Sequence, residues 1–240
     1  MPGEIDNEAN ATEQPFVDFK CPYCGTTLSF PLDSSHLAQE CLNCLEVVIV
    51  PQAGQGLGGK LPIPITTPRL VLRRFRTEDW KDLTEYLAEG ELPRFRPTDA
   101  PIEEQVSRWL QEDARTKLTQ PYQSLCLGVV LQAGGKLMGY VDLWYWGPDH
   151  LQVGLGVGLH SRYHRQGYGT EALRGVLGFC FTGLGLHRVT ASCNSRNTAA
   201  RRMLEKAGMR CEGEFLQNSF ENREWISTVY FAMLSGEYRK

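Results

Sequence analysis

The chain has 240 residues, 42% of them apolar and 22% charged, with a formal net charge of −3. That composition excludes a fibrous or wholly disordered chain, and no apolar run approaches the ~18–20 residues needed to span a bilayer. The charge excludes the basic surplus on which nucleic-acid binding normally depends, so what stands out is eight cysteines in an otherwise ordinary composition.

Residues 1–18 hold Glu4, Asp6, Glu8, Glu13 and Asp18 and no Lys or Arg, a pattern that predicts a solvated, disordered tail. The same stretch has neither a basic start nor an apolar core. No export signal is therefore expected, and the cytoplasm is the expected location. Cys21-Pro-Tyr-Cys24 and Cys41-Leu-Asn-Cys44 follow, with sixteen residues between the pairs. Four thiolates at this spacing suit a tetrahedral zinc site built from two tight knuckles, and Gly25 supplies the turn conformation a knuckle needs. Two disulfides and a redox dithiol are the competing readings, the first requiring an oxidising compartment. His36, between the pairs, reads as a surface or packing residue. The β-prone stretches 16–19 and 47–50 are expected to pair with each other, giving a ribbon over residues 19–52 that needs metal to fold. It resembles the small zinc-ribbon modules fused to bacterial proteins, which implies a structural Zn²⁺ on Cys21, Cys24, Cys41 and Cys44 and leaves room for a protein partner.

Glycines and spaced prolines make residues 53–65 a linker, and residues 66–240 suit one further domain. Leu70-Val-Leu-Arg-Arg-Phe75 predicts a strand, and Thr77 a cap for a helix with Trp80, Leu83 and Leu87 on one face. Ile102, Val106, Trp109 and Leu110 mark a second helix. Strands are expected over 123–132 and 136–146, joined by a two-residue turn at Gly134-Gly135, and over 151–159. Leu173 to Leu184 repeats at helical spacing. A strand over 187–193, a helix over 197–207 and strands over 209–217 and 226–234 complete the order βααβββαβαββ. That is an α/β (α+β type) arrangement on a mixed sheet. Cys126, Cys180, Cys193 and Cys211 share no spacing and read as reduced cysteines in or near the core.

The most informative stretch is 151–171. Val153, Leu155, Val157 and Leu159 fall on one strand face, and Gly154, Gly156 and Gly158 on the other. A glycine face admits a close backbone or leaves room for a ligand. His164-Arg-Gln-Gly-Tyr-Gly169 then opens a helix whose first N–H groups and dipole favour an anion, with Gly167 and Gly169 allowing close approach and Arg165 adding a cation. The dinucleotide fingerprint GxGxxG is not met, because its third glycine is Ala172.

This strand, turn and helix, with His187-Arg-Val-Thr-Ala-Ser-Cys-Asn-Ser-Arg-Asn197, Arg202-Met-Leu-Glu-Lys-Ala-Gly208, Thr67-Pro-Arg-Leu-Val-Leu-Arg73 and Cys211-Glu-Gly-Glu214, resemble the GNAT acetyltransferases, in particular the RimJ/RimL-like group. That group acetylates ribosomal-protein N-termini and has relatives that act on other amines. The resemblance covers residues 66–240 and implies a GNAT fold with a mixed, mostly antiparallel sheet, and acetyl-CoA as co-substrate. It places the coenzyme A pyrophosphate at His164, Arg165, Gln166, Gly167, Tyr168, Gly169 and Thr170. Pantetheine falls beside Val157, Gly158 and Leu159, and the cofactor arm beside Asn197, which also suits a helix cap. The implied reaction is direct attack of a primary amine on the acetyl thioester in a ternary complex. Gln152 and Leu204 stand where relatives carry a Glu and a Tyr. Asp142 is then the candidate base or water relay, with a solvated strand-face carboxylate as the competing reading, and Ser195, with Cys193, the candidate proton donor to the leaving thiolate, Cys193 reading equally as a small packing residue. Glu78, Asp79, Asp82 and Glu85 are candidates for attracting a cationic amine. A zinc-ribbon adaptor whose second domain binds coenzyme A without turnover is the alternative; neither a membrane nor a nucleic acid is an expected partner.

Overall fold

The structure is a computed structural model that describes residues 16–32, 38–50, 59–88, 101–115, 124–145, 151–221 and 223–239. The expectations for residues 1–15, for His36 and for 51–58 lie outside the described residues. The chain forms two compact units, Met1–Lys60 and Leu61–Lys240.

In the first unit, β1 (Phe16–Lys20) pairs antiparallel with β2 (Thr27–Pro31), so the supposed tail is a strand from Phe16 onward. Alternation buries Val17 and Phe19, which face Phe30 and Leu28. β3 (Ala38–Glu40), β4 (Val47–Ile49) and β5 (Gly59–Lys60) form a separate antiparallel sheet. The expected pairing of 16–19 with 47–50 is therefore not formed. Each strand is folded back by its own cysteine turn and finds its partner locally, a far shorter loop to close. The two stretches meet instead through side chains, because Val17, Phe19, Leu28, Val48 and Val50 share one buried cluster with Cys21 and Cys41.

The second unit holds β6 (Ile65–Thr66), β7 (Leu70–Arg73), α1 (Trp80–Ala88), α2 (Ile102–Arg115), β8 (Ser124–Leu131), β9 (Leu137–Tyr145), β10 (Gln152–Leu159), α3 (Tyr168–Gly178), β11 (Arg188–Asn194), α4 (Thr198–Ala207), β12 (Arg210–Glu221) and β13 (Glu224–Leu234). The sheet order is β12-β13-β11-β10-β9-β8-β7-β6. Every pair is antiparallel except β10 with β11. Leu83 and Tyr86 of α1 and Val106 and Trp109 of α2 pack on Cys126, Val130, Leu137 and Tyr140, covering one face of β8–β9. Ala172, Leu173, Val176 and Leu177 give α3 its buried stripe, at the i, i+1, i+4 and i+5 positions of one helical face.

Three local expectations change. Gly134 and Gly135 both take positive φ, +88° and +67°, but they close a four-residue loop, since Leu131 N–H bonds Lys136 O. Thr77 opens a short 3₁₀ turn rather than capping α1, and Trp80 is exposed. Asp79 does the anchoring, accepting the Arg76 N–H and both Nη groups of Arg73 while itself buried. The long helix ends at Gly178 and continues as one wider turn over Phe179–Gly183.

Candidate functional site

β10 and β11 pair from Gln152↔Arg188 only as far as Leu155↔Ala191, whereas β10 stays paired to β9 through Leu159↔Gly139. Backbone groups of successive residues point to opposite edges of a strand. His160 N–H bonds Met138 O, so the even residues of β10 serve β9 and the odd ones face β11. Val157 and Leu159 thus turn their N–H and C=O groups into a gap between two diverging strands. A backbone edge left open next to a sheet interior needs polar partners; Leu159 O meets the His164 ring, and an extended chain carrying amides has the chemistry to pair with the remainder.

The glycine face of β10 has a different purpose from ligand clearance. A Cβ on Gly154 would run into the Trp144 indole, and one on Gly158 would lie 2.5 Å from the Tyr86 hydroxyl and 2.7 Å from the Tyr140 ring. The glycines let Trp144 and Tyr140 of β9 and Tyr86 of α1 pack close against the strand.

The turn that follows is built to aim N–H groups outward. Buried His160 caps its first residues, its Nδ1 accepting the Arg162 N–H at 3.3 Å, and its ring lies against Tyr86 and Tyr163. His164 Nε2 is 2.8 Å from Leu159 O, so its exposed ring closes back on the open edge of β10. Arg165 (φ +59°) and Gly167 (φ +83°) reverse the chain, and Gly167 is the N-cap of α3 with no side chain to offer. The N–H groups of Tyr168, Gly169 and Thr170 fall in the first helical turn, where no intrahelical acceptor exists. Arg165, Gln166, Gly167, Tyr168, Gly169 and Thr170 are therefore together at one anion-favouring helix start.

Arg69 holds this turn from behind. Its Nε is 2.6 Å from Glu171 Oε2, its Nη1 donates to Gln166 O at 3.1 Å, and its guanidinium lies 4.3 Å from the Tyr168 ring centre. Thr67 Oγ1 and the Arg69 N–H also donate to Glu171 Oε1. Burial pushes the Glu171 carboxyl up, but the Thr67 and Arg69 donors outweigh it and hold the group below the ordinary Glu range. The sequence signal for this buttress was the Thr67-Pro-Arg69 stretch, whose role is invisible until β7 lies beside α3.

Asn197 is exposed and caps α4, its Oδ1 accepting the Ala200 N–H at 2.9 Å, which leaves its NH₂ as a donor. Ser195 is half-buried just beyond β11 with its N–H on Ser227 O. Burial raises the Cys193 thiol above its ordinary range. Asp142 is not a solvated carboxylate: it is 9% exposed, between Cys126 and Gly156 in the sheet register. Three of the four acids of the first helical segment already hold cations, and the fourth, Glu78, is exposed. Asp79 holds Arg73, Lys136 lies 2.7 Å from Asp82 and 2.8 Å from Glu85, and Arg162 lies 2.5 Å from Glu85. Asp82 and Glu85 raise the Lys136 ammonium above its ordinary range in turn.

In the first unit the four cysteine sulfurs lie within 4.8 Å of one another. Cys21 is 3.7 Å from Cys44, and Cys24 is 3.7 Å from Cys41. Each pair sits in a turn of the same design: Gly25 N–H bonds Cys21 O, and Leu45 N–H bonds Cys41 O. Gly25 has φ +75° and Leu45 φ +61°, so the second knuckle puts a leucine where the first has a glycine. Hydrogen bonds from the Thr26 hydroxyl and amide and from Asn43 pull the Cys24 thiol down to about 5. The Glu46 amide draws Cys44 down, yet burial and the three neighbouring thiols push it up to about 12.

Residues 69–210 match the family described as "Acetyltransferase (GNAT) domain", more than half of the chain. The chain belongs to the GNAT acetyltransferase family. It is 27% identical over 174 residues to the uncharacterized N-acetyltransferase YnaD of Bacillus subtilis, covering 72% of this chain and 98% of that protein. A GNAT-family acetyltransferase structure from Bacillus anthracis aligns with TM-score 0.61 and 26% identity over 72% of this chain and 98% of its own. The ribosomal-protein-S5-alanine acetyltransferase of Vibrio fischeri shares the fold, with TM-score 0.58 at 18% identity over 73% of this chain and 98% of its own. The second unit is an acetyltransferase with the mixed, mostly antiparallel GNAT sheet. Among the described residues, no helix is long and apolar enough to cross a membrane.

Proposed function

We propose that the chain transfers an acetyl group from acetyl-CoA to a primary amine by direct attack within a ternary complex. The observation that carries this is the parting of β10 from β11 after Leu155 and Ala191, which opens the backbone of Val157 and Leu159 beside the start of α3. Pantetheine amides suit that edge, and the pyrophosphate suits the N–H groups at Gly167 to Thr170. Asn197 NH₂ lies on the second helix that starts at this end. A free amine is largely protonated near neutral pH, so a base must take its proton. Asp142 is the candidate, directly or through water, and Ser195 is the candidate donor to the leaving thiolate. The N–H of Val157 or Leu159 is the candidate for stabilising charge on the thioester oxygen. Alignment of two bound reactants supplies much of the acceleration.

We also infer that Cys21, Cys24, Cys41 and Cys44 hold a structural Zn²⁺. Zinc–thiolate bonds of about 2.3 Å in a tetrahedron separate neighbouring sulfurs by about 3.8 Å, close to the 3.7 Å found across both pairs. With four protein ligands no position remains for catalysis; the ion would staple two short hairpins whose shared core is small.

The test is a thiol-release assay with acetyl-CoA against a panel of peptides and small amines, alongside calorimetric binding of acetyl-CoA. Turnover is expected. Tight binding without turnover on any amine would refute transfer and favour a coenzyme A-binding adaptor. Gly169→Leu is expected to weaken acetyl-CoA at least tenfold, since even a Cβ there lies 2.7 Å from Met203 Sδ. Metal analysis of protein purified without chelators should give one zinc per chain, and its absence would remove the ribbon assignment.

A further inference from the structure

We propose that His160 is a positioning residue that joins helix α1 to the turn before α3, so that acetyl-CoA on the turn also sets the helix bordering the acceptor's approach. This rests on the acetyltransferase reading above and deepens it. Asp79, Asp142 and His160 are the buried polar or charged side chains among the described residues. Asp79 anchors Arg73, and Asp142 belongs to the candidate chemistry. His160 stands between β10 and the turn and works in two directions.

The first is through its ring nitrogen. Nδ1 accepts the Arg162 N–H at 3.3 Å, a bond to the residue two ahead of the kind an Asn makes in an Asx turn. Arg162 carries this order onward, because its carbonyl accepts Gln166 Nε2 at 2.8 Å, and the Gln166 carbonyl is held in turn by Arg69. The second is through the ring face. It lies 27° from the plane of Tyr86, with ring centres 6.2 Å apart, inside the range where aromatic pairs attract. Glu85, next to Tyr86, takes the Arg162 guanidinium. That ion pair has side chains 52% and 38% exposed and contributes little, so the buried ring carries the link to α1.

The side of the sheet that α1 borders gives the link its purpose. Successive residues of a strand face opposite ways. A Cβ on Gly169 of α3 would lie 3.6 Å from the Leu159 side chain, whereas one on Gly158 would lie 2.5 Å from the Tyr86 hydroxyl. Leu159 thus points to the α3 face of β10, and Gly158 lies on the α1 face. With the thioester along Val157 to Leu159, an amine finds the first face covered by α3 and approaches across the second. Tyr86 stands at that approach. Ordering the phosphate turn through Arg162 and His160 also fixes Tyr86, and the coupling is reciprocal.

Hydrogen exchange of the full chain with and without acetyl-CoA, beside calorimetric acetyl-CoA affinity, separates the two directions. In the parent, saturating acetyl-CoA should slow exchange of the α1 amides at least threefold. His160→Asn keeps an acceptor for the Arg162 N–H and removes the ring; acetyl-CoA affinity should stay within about twofold while the α1 response is lost. His160→Phe keeps a ring and removes the acceptor; affinity should fall about fivefold or more, with the α1 response retained at saturation. Each variant tests its own direction, so one that fails to fold leaves the other decisive. The inference is overturned by a parent whose α1 exchange ignores bound acetyl-CoA, by a His160→Asn protein that keeps the α1 response, or by a His160→Phe protein that binds as the parent does. Loss of affinity and α1 response together in both variants would mark a merely structural histidine and overturn it too. A parent that does not bind acetyl-CoA would instead sink the reading on which the inference rests.

Discussion

Arg69 touches no reacting group, yet its removal should weaken acetyl-CoA. In Arg69→Ala three contacts vanish together: the Glu171 ion pair, the bond to Gln166 O and the cation–π contact with Tyr168. The ion pair has its two side chains 44% and 15% exposed, which discounts it to about 0.5 kcal/mol. The bond to the Gln166 carbonyl contributes about 1 kcal/mol and the half-exposed cation–π contact about 0.5 kcal/mol. About 2 kcal/mol thus holds the turn whose N–H groups would receive the pyrophosphate. A ligand that must first reorder a loosened turn loses affinity by the fraction of molecules left competent. The ceiling is about thirtyfold, and about tenfold is expected, or 1.4 kcal/mol.

Calorimetric titration of acetyl-CoA reads this directly. Arg69→Lys keeps the charge but cannot reach Glu171 and Gln166 O with one planar fork, so it should recover only part of the affinity. Thermal unfolding should fall by a few degrees, because 1 kcal/mol shifts a domain of this size by about 2–4 °C. An Arg69→Ala protein with native melting and acetyl-CoA affinity within twofold of the parent would show that the turn is ordered without this buttress.

Gly139→Ala should cost more than 2 kcal/mol in denaturant unfolding, because its Cβ would collide with the Gly158 carbonyl, a backbone atom that cannot swing away. Gly169→Ala meets the flexible end of Met203 and should cost less than about 1 kcal/mol, and equal costs would contradict the distinction. Asn197→Ala removes the α4 cap and should destabilise by about 1 kcal/mol, with Asn197→Asp recovering most of it. The carboxyls of Glu171, Glu85 and Glu212 are all held below their ordinary range in the fold, the first against the pull of burial and the other two chiefly by bonds from Lys136 and Arg188. Their contribution is present above the unfolded value of about 4.3 and is lost as pH falls through the lower folded values. Unfolding free energy should therefore decline below about pH 4.3, and a flat profile from pH 5 to 3 would exclude these three as a source of acid sensitivity.

Element order was readable because it depends on local periodicity. The buried stripe of α3 and the alternation in β10 each lie within one run of sequence. Partners were harder. Residues 16–19 and 47–50 are both strands, but their β-propensity does not encode that each folds back through its own cysteine turn. The reach of Arg69 to Glu171 spans 102 residues, and the rings covering Gly154 and Gly158 come from β9 and α1. No local pattern in 151–159 separates glycines that admit a ligand from glycines that admit an indole. Asp142 shows the same limit: it shares a strand face with Tyr140 and Trp144, a pattern that fits a half-exposed strand, whereas in the fold it is 9% exposed between Cys126 of β8 and Gly156 of β10.

The place of the site follows from a topological fact that the sequence order βααβββαβαββ already contains. In an antiparallel pair the strands end at opposite edges, so the helices that follow them start far apart. In a parallel pair both carboxyl ends lie together, and so do the two helix starts that follow. Among the described strands, β10 and β11 are the one parallel pair. α3 follows the first through Gly167 and α4 follows the second through Asn197. Two sets of first-turn N–H groups therefore converge at a single edge of an eight-stranded sheet. The gap opens at the same edge. Past Leu155 and Ala191 the two strands no longer pair with each other, yet each keeps its other neighbour, β10 holding β9 through Leu159 and β11 holding β13 through Asn194, so the sheet splays between them rather than ending. Splayed backbone and gathered helix starts thus lie side by side at one edge, and a long, amide-bearing, anion-tailed ligand matches both halves.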